Sequence, residues 1–276
     1  MADILSLVFR TFMSQSDLKK DVKVITPSPT TCSTLLVGDH SLSRSVLLLA
    51  SVTAAAEMGI KVMFFTQTQI QSLPPSLQRC VPNLSPESLK KIKFSYPRTV
   101  EELLQQVASL HEPTNTSPTP PSLIIVDRLE SFLSGPGGSS QSGFHPGERS
   151  CAAHIAALLC DTAAFLTQVL EQRGSSSAPC RIIASFLSEV NAGGDPSGTD
   201  PILDVLDRYF QVRCTLDQDS GYEATAAAVQ EVWHIYLSGR GITDPSFTED
   251  YNDRPGVAQE WKLFIFPDGL MEFKLV

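Results

Sequence analysis

The chain has 276 residues, of which 42% are apolar, and its 21 Lys and Arg against 30 Asp and Glu give a formal net charge of −9. This length suits one large domain or two small ones, and the apolar fraction excludes disorder as the dominant state as well as collagen-like and coiled-coil chains. The acidic balance argues against a protein that holds nucleic acid over its whole surface, because phosphate contacts require clustered Lys and Arg.

The first 33 residues have the character of an arm that precedes the main body. Apolar residues recur at helical spacing in Ile4, Leu5, Val8, Phe9 and Phe12, and Thr26–Ser33 is rich in Ser, Thr and Pro, as linkers are. The sequence therefore predicts a short amphipathic helix. It either packs against the body, which is the favoured interpretation, or serves as a docking arm for another chain.

From residue 34 the pattern becomes regular. A short strand, Thr34–Val37, is followed by the turn Gly38–Ser45 and a helix through Glu57, which Gly59 ends. The next elements are two strands, a helix capped by Thr99 and a third strand: Lys61–Thr66, Lys91–Tyr96 (near a sheet edge), Thr99–His111 and Leu123–Val126.

The remainder of the chain contains long loops, two helices and further strands. The sequence predicts, in order, a loop at Ser134–Ser150, a helix at Cys151–Arg173, a strand at Arg181–Leu187, a loop at Ser188–Pro201, a helix at Ile202–Phe210, and strand-like runs at Gln211–Leu216, Val229–Leu237 and Trp261–Val276 with a turn at Pro267–Gly269. Strands that alternate with helices predict an α/β fold: a mostly parallel sheet with helices on both faces, extended by C-terminal antiparallel strands. Residues 34–276 would form this core domain.

The apolar windows Val46–Ala50 and Leu123–Val126 are far shorter than a membrane span, and the N-terminus has Asp3 and no small-residue cleavage site. We therefore expect no membrane segment and no secretory signal. The six cysteines form no C-x-x-C pair and do not combine with the five histidines at a zinc spacing. Free thiols in a reducing compartment and no structural metal are expected.

The turn Gly38–Ser45 has the position and length of a phosphate-binding loop, G-x-x-x-x-G-K-[ST]. In an intact loop, glycines let backbone N–H groups surround the phosphates, the lysine neutralises them and the hydroxyl ligates Mg²⁺. Here Gly38 and the hydroxyl of Ser45 remain, whereas Ser43 replaces the second glycine and Arg44 replaces the lysine. The guanidinium keeps the charge but is bulkier than an ammonium group.

A carboxylate that could orient Mg²⁺ follows the strand Leu123–Val126, since Asp127 comes directly after four apolar residues. A capping role for Asp127 at the end of a central strand is the alternative. The segment that should supply a base for water, Thr66–Gln69, has no carboxylate, and Gln67 or Gln69 could orient a water but not take its proton. These substitutions predict weak or undetectable nucleotide binding and turnover far below that of an intact loop.

Four segments resemble the SWIM-domain-associated ATPase family, which is distantly related to the RecA-type recombinases. They are Thr34–Gly38, Lys91–Pro97, Leu123–Leu133 and Ile155–Ala164, and the resemblance is best over residues 34–187, with Trp261 and Pro267–Gly269 suiting the final hairpin. The resemblance implies a RecA-like P-loop core. It also implies a heterodimer with a SWIM-type zinc protein, a Shu-type complex that supports recombinase filaments in homologous recombination, and hence a nuclear protein.

The resemblance also implies where nucleotide and DNA would bind. Gly38, Ser43, Arg44, Ser45 and Asp127 occupy the positions that would bind ATP and Mg²⁺, both weakly. The two DNA loops of a RecA core would fall at Ser134–Ser150, with Phe144, His145 and Arg149, and at Ser188–Pro201, which has acidic residues and no Lys or Arg. Arg128 is a further DNA-binding candidate, and single-stranded DNA would be bound mainly together with the partner.

Three functions remain open at this point. The first is a recombination-mediator subunit that binds a partner, a RecA-type recombinase and single-stranded DNA. The second is a DNA-stimulated ATPase with slow hydrolysis through Arg44, Ser45 and Asp127. The third is an α/β domain of unrelated function whose loop matches by accident.

Overall fold

The structure is a computed structural model that describes residues 4–13, 33–71, 77, 80, 85–112, 119–133, 146–173, 179–188, 200–219, 221, 229–239 and 257–276. Within these residues the helices are α1 (Ile4–Thr11), α2 (His40–Ala56), α3 (Pro86–Leu89), α4 (Val100–Ser109), α5 (Leu129–Leu133), α6 (Pro146–Gln172) and α7 (Pro201–Leu206). The strands are β1 (Ser33–Val37), β2 (Val62–Phe65), β3 (Ile92–Ser95), β4 (Leu123–Val126), β5 (Arg181–Phe186), β6 (Val212–Gln218), β7 (Glu231–Gly239), β8 (Val257–Ile265) and β9 (Met271–Leu275).

All of these strands belong to one nine-stranded sheet with the order β3-β2-β4-β5-β1-β6-β7-β8-β9. The pairs from β3 to β6 are parallel, and the pairs from β6 to β9 are antiparallel. The predicted α/β fold with C-terminal antiparallel strands is therefore confirmed. Strand β5 lies between β1 and β4, so the turn after β1 and the residue after β4 approach each other across the end of β5.

Two hydrophobic cores cover the two faces of the sheet because the side chains of each strand alternate between the faces. On β1, Leu36 belongs to the core under α1 and α2, whereas Leu35 and Val37 belong to the core under α4, α5, α6 and α7. The central parallel strands β2 and β4 are apolar along their whole length because both of their faces are buried.

Helix α1 packs against the C-terminal strands of its own chain. Its residues Ile4, Leu5, Val8 and Phe9 are fully buried, and the ring of Phe9 lies 4.8 Å from that of Phe273 and 5.5 Å from that of Trp261. The backbone N–H of Phe273 donates to the carbonyl of Phe12 at 3.0 Å, so the segment after α1 covers the edge of β9. The packing interpretation is thus the one observed.

Three helix boundaries differ from the sequence prediction by four residues or more. Helix α2 begins at His40, inside the predicted turn, and α7 ends at Leu206 rather than Phe210. Helix α6 begins at Pro146, five residues before the predicted start at Cys151. A proline suits the first turn of a helix because its missing N–H would be unpaired there in any case, and Glu148 favours the positive end of the helix dipole. In the sequence alone, Pro146 and Gly147 favour a loop, which is why the helix is predicted to begin later.

Helix α6 is, by length and composition alone, the one helix in the described part of the chain that could cross a membrane. Its inner residues Ala156, Leu159 and Leu166 are fully buried in the core of the sheet. The apolar windows found in the sequence missed this helix because small and polar residues separate its apolar ones. Five cysteines, at positions 80, 151, 160, 180 and 214, are free thiols, as predicted, and Cys32 lies outside the described residues.

Candidate functional site

The carboxyl ends of four parallel strands bring together the residues of the candidate nucleotide site. Gly38 follows β1, Thr66 follows β2, Asp127 follows β4, and Ser185 lies near the end of β5. Ligands of α/β proteins bind in the crevice at such strand ends. The structure therefore places the predicted Gly38, Ser43, Arg44, Ser45 and Asp127 in one region.

The predicted phosphate-binding turn is shortened because Asp39 starts helix α2. The Oδ1 atom of Asp39 accepts hydrogen bonds from the backbone N–H groups of Ser41 at 2.8 Å and Leu42 at 3.1 Å, and the N–H of Ser43 donates to the Asp39 carbonyl at 2.9 Å. An N-terminal helix cap of this kind satisfies N–H groups that otherwise have no partner in the helix. Three of the N–H groups of the motif, those of Ser41, Leu42 and Ser43, are therefore bonded within the chain.

The glycine at the first position of the motif has a structural reason of its own. Gly38 has a φ of 154°, and a Cβ atom added there would lie 2.7 Å from the Cβ and 2.9 Å from the carbonyl oxygen of Leu216 on β6. A side chain cannot be accommodated at this distance. Gly38 is therefore required by the close approach of β1 and β6, whether or not a phosphate binds.

Arg44 forms an ion pair with Asp127, the residue predicted to orient Mg²⁺. The Oδ2 atom of Asp127 accepts from Nε of Arg44 at 2.9 Å, from Nη2 of Arg44 at 2.8 Å and from the hydroxyl of Thr66 at 3.0 Å. The other oxygen, Oδ1, lies 3.4 Å from the hydroxyl of Ser185. The Asp127 side chain is fully buried, whereas that of Arg44 is 23% exposed. This carboxylate is held by the protein on both oxygens.

Of the two serine hydroxyls of the motif, that of Ser45 forms a hydrogen bond within the chain and that of Ser43 forms none among the described residues. The hydroxyl of Ser45, the predicted Mg²⁺ ligand, donates to the carbonyl of Ser41 at 3.0 Å, within its own helix. Ser43 is buried, and its hydroxyl has no hydrogen-bond partner among the described residues.

Glu130 is a carboxylate at this site that the sequence analysis missed. Its Oε1 atom accepts from Nε of Arg128 at 3.2 Å, and its Oε2 atom accepts from the backbone N–H of Leu187 at 3.1 Å. Gln67, one of the candidates for orienting water, donates instead to the carbonyls of Arg98 and Ser131, both at 3.2 Å. Glu130 is thus bonded both to Arg128 and to the backbone at the end of β5.

Two further residues near the site are conformationally or electrostatically unusual. Arg128 has a φ of 62°, a left-handed conformation that residues other than glycine rarely adopt, and its N–H donates to the hydroxyl of Ser185 at 2.8 Å. The pKa of His40 is lowered, first by burial and then by the positive charge of Arg128. Such strained residues cluster at functional sites, and Arg128 stands directly after Asp127.

Of the predicted DNA-binding residues, the structure describes Arg128 and Arg149. Arg149 is exposed on the second turn of α6 rather than in a loop, and Arg128 is paired with Glu130. Phe144 and His145 lie outside the described residues. Asp200, one of the acidic residues of the second predicted loop, is buried and caps α7 through the N–H groups of Ile202 and Leu203, so its role is structural.

As they stand, these residues do not fit Mg²⁺ and ATP. Asp127 is bonded to Arg44, Ser45 to its own helix, and the N–H groups of Ser41 and Leu42 to Asp39. In the part of the chain that the structure describes, there is also no cluster of three or more His, Cys, Asp or Glu side chains that could hold a metal ion.

Comparisons with known proteins give two relatives and one related fold. The chain is 35% identical over 187 residues to ATPase SWSAP1 of Mus musculus and 32% identical over 188 residues to ATPase SWSAP1 of Homo sapiens, in both cases over 67% of its own length. The aligned parts span 58% of the mouse protein and 72% of the human one. No family model matches the chain. A KaiC-like protein of Pyrococcus horikoshii shares the fold with a TM-score of 0.50 and 12% identity, over 96% of this chain and 97% of that one.

Proposed function

The chain belongs to the SWSAP1 family of ATPases, and we propose that it is the recombination-mediator subunit of a heterodimer with a SWIM-type zinc protein. The heterodimer supports filaments of a RecA-type recombinase on single-stranded DNA in homologous recombination repair, in the nucleus. The family resemblance and the RecA-like fold support this role. Within the heterodimer, this subunit contributes binding surfaces and does not need to turn over ATP.

The observation that carries this proposal is the ion pair of Arg44 with Asp127. A subunit driven by ATP must keep its Mg²⁺-orienting carboxylate available for the metal. Here that carboxylate is buried, and its Oδ2 atom accepts hydrogen bonds from the guanidinium and from the hydroxyl of Thr66. A role that depends on contacts to other macromolecules is compatible with such a site, whereas rapid hydrolysis is not.

The proposal is tested by assembly of a recombinase filament. A RecA-type recombinase is mixed with single-stranded DNA that is coated by a single-strand-binding protein, and filament formation is followed with and without the purified heterodimer. We expect faster or more complete assembly with the heterodimer than with either subunit alone. Unchanged assembly, with a heterodimer shown to be intact by size-exclusion chromatography, would refute the mediator role.

A slow DNA-stimulated ATPase is the second candidate, because Gly38, Ser45 and Asp127 keep the motif positions and the relatives are named ATPases. It is tested in the absence of the recombinase, which hydrolyses ATP itself. Steady-state phosphate release is measured for the subunit with DNA and Mg²⁺, and again for Asp127→Asn. Release at the rate of an intact phosphate loop that Asp127→Asn abolishes would favour this second function over the first.

A further inference from the structure

We propose that the guanidinium of Arg44 takes the place of the metal ion and thereby closes the nucleotide site of this chain. The site is closed by the residues at two motif positions, Ser43 and Arg44, whereas the rest of the fold is intact. The inference concerns the regulation of the same site and rests on the proposed function, in which the subunit works without turnover. It is based on the ion pair at Asp127 and on the replacement of both the second glycine and the lysine of the motif.

The guanidinium of Arg44 lies where a bound metal cation would contact Asp127. Nε and Nη2 of Arg44 both donate to the same oxygen of Asp127, and Nη2 also lies 3.2 Å from the hydroxyl of Thr66. The guanidinium therefore fills the space between the ends of β2 and β4, on the carboxylate that a divalent ion would need. A lysine could place one charge there and contact both Asp127 and Thr66, but it could not donate to the carboxylate from two nitrogens as the planar guanidinium does.

The part of the site that would bind phosphate is also occupied by a side chain of the protein. The carboxylate of Asp39 lies on the N–H groups of Ser41 and Leu42 at the positive end of α2, where a phosphate would be stabilised in an open loop. A negative group and a positive group of the chain thus stand where phosphate and metal would stand.

Apart from these residues, the elements around the site are arranged as in a nucleotide site that is open to its ligand. β5 separates β1 from β4, the helix α2 follows the first strand directly, and Gly38, Ser45 and Asp127 keep their places. Ser43, at the position of the second glycine, is 2% exposed with an unpartnered hydroxyl. A glycine there would remove this buried polar group and restore freedom to the backbone at the helix start.

The first experiment measures thermal unfolding of the full chain with MgATP. Wild type is compared with the double variant Ser43→Gly/Arg44→Lys, which rebuilds the motif, and with the same double variant carrying Asp127→Asn as its matched control. We expect no MgATP-dependent rise in Tm for wild type, a rise for the double variant, and loss of that rise with Asp127→Asn. Circular dichroism confirms that each variant is folded before the comparison.

The second experiment uses no nucleotide. In the closed site Asp127 pairs with Arg44, so Asp127→Asn should lower the Tm of wild type by about 5–10 °C, because it leaves a partly buried guanidinium without its anion. In an open site, neutralising an unpaired buried carboxylate would leave the Tm unchanged or raise it.

The inference is overturned if wild type shows a MgATP-dependent rise in Tm equal to that of the double variant, if the folded double variant shows none, or if Asp127→Asn leaves the Tm of wild type unchanged. None of these measurements requires the partner, DNA or the recombinase. A failure here therefore leaves the filament experiment unaffected, and an inactive heterodimer in that experiment leaves this one unaffected.

Discussion

Single residues at the end of β1 have structural duties that a nucleotide motif alone would not reveal. Gly38 is fixed by its distance to Leu216, and Asp39 by its hydrogen bonds to two N–H groups of α2. Arg44 and Asp127 stabilise each other across the crevice. A sequence that keeps part of a phosphate-binding motif can thus do so because the fold needs those residues.

The requirement for glycine at position 38 can be tested by Gly38→Ala, which adds a single methyl group. We expect Gly38→Ala to lower the free energy of unfolding by about 1–3 kcal/mol, since the new Cβ meets Leu216 and the φ of 154° is unfavourable for alanine. Urea denaturation measures the loss. Gly147→Ala is the control, because its Cβ would meet nothing within 4 Å on a helix, and it should be neutral or raise stability by about 0.5–1 kcal/mol.

The cap of helix α2 gives a second prediction at this scale. Asp39→Ala should lower the free energy of unfolding by about 0.5–2 kcal/mol, because the N–H groups of Ser41 and Leu42 lose their acceptor. Asp39→Ser, whose hydroxyl can also cap a helix, should lose much less. Equal losses for the two variants in urea denaturation would contradict a capping role for Asp39.

At the scale of elements, hydrophobic periodicity and cap residues predicted most of the fold. The strand before Asp127, the edge strand at Ile92–Ser95 and the helix capped by Thr99 lie where the sequence placed them. The start of α2 could not be predicted in the same way, because Asp39 reads equally well as part of a loop or as a helix cap. The contacts of Arg44 and Glu130 depend on strand order, since they join residues 83 and 57 positions apart, and a single sequence does not contain that order.

The docking of α1 on the C-terminal strands predicts a large effect at Phe9. Its ring is fully buried between Trp261 and Phe273, so Phe9→Ala should lower the free energy of unfolding by about 3–5 kcal/mol. In a Trp233→Phe background, the emission of Trp261 should move to longer wavelength. Leu7→Ala, on a half-buried position of the same helix, is the control, and an equal loss there would speak against specific packing of Phe9.

At the scale of the whole molecule, the net charge of −9 sets the expectation for DNA. Any affinity of the isolated chain for single-stranded DNA should be low and steeply salt-dependent, because the net charge repels phosphates within a Debye length of about 8–10 Å. Fluorescence anisotropy with a labelled strand at two salt concentrations measures it.

Arg149→Ala should weaken this binding and reduce the salt slope by about 0.7, the value for one phosphate contact on a single strand. Arg173→Ala, at the opposite end of α6, is the matched control and should have less effect. Tight binding that persists at high salt and is unchanged by Arg149→Ala would show that DNA contacts lie elsewhere on the chain.

Apolar residues at the two ends of a chain can indicate either a surface that a partner covers or a core formed within the chain itself. The N-terminal residues Ile4, Leu5, Val8 and Phe9 and the C-terminal residues Trp261, Leu263, Met271 and Phe273 bury one another in a single core. Within the described residues, Phe264 and Phe266 are half-buried and belong to neither core. These apolar ends therefore give no reason of their own to expect aggregation of the lone chain.

Complex formation with the SWIM-type zinc protein remains the prediction for the whole molecule, on the strength of the family. The chain and the partner are expressed separately and together and are compared by size-exclusion chromatography with light scattering. We expect the lone chain to elute as a folded species, since its ends cover each other, and the mixture to elute earlier with the mass of a heterodimer. The Phe9→Ala variant tests the role of α1: if α1 acts only by stabilising its own chain, the folded fraction of this variant should still form the complex. An unchanged elution volume on mixing two folded proteins would remove the basis for assigning this chain to a heterodimer.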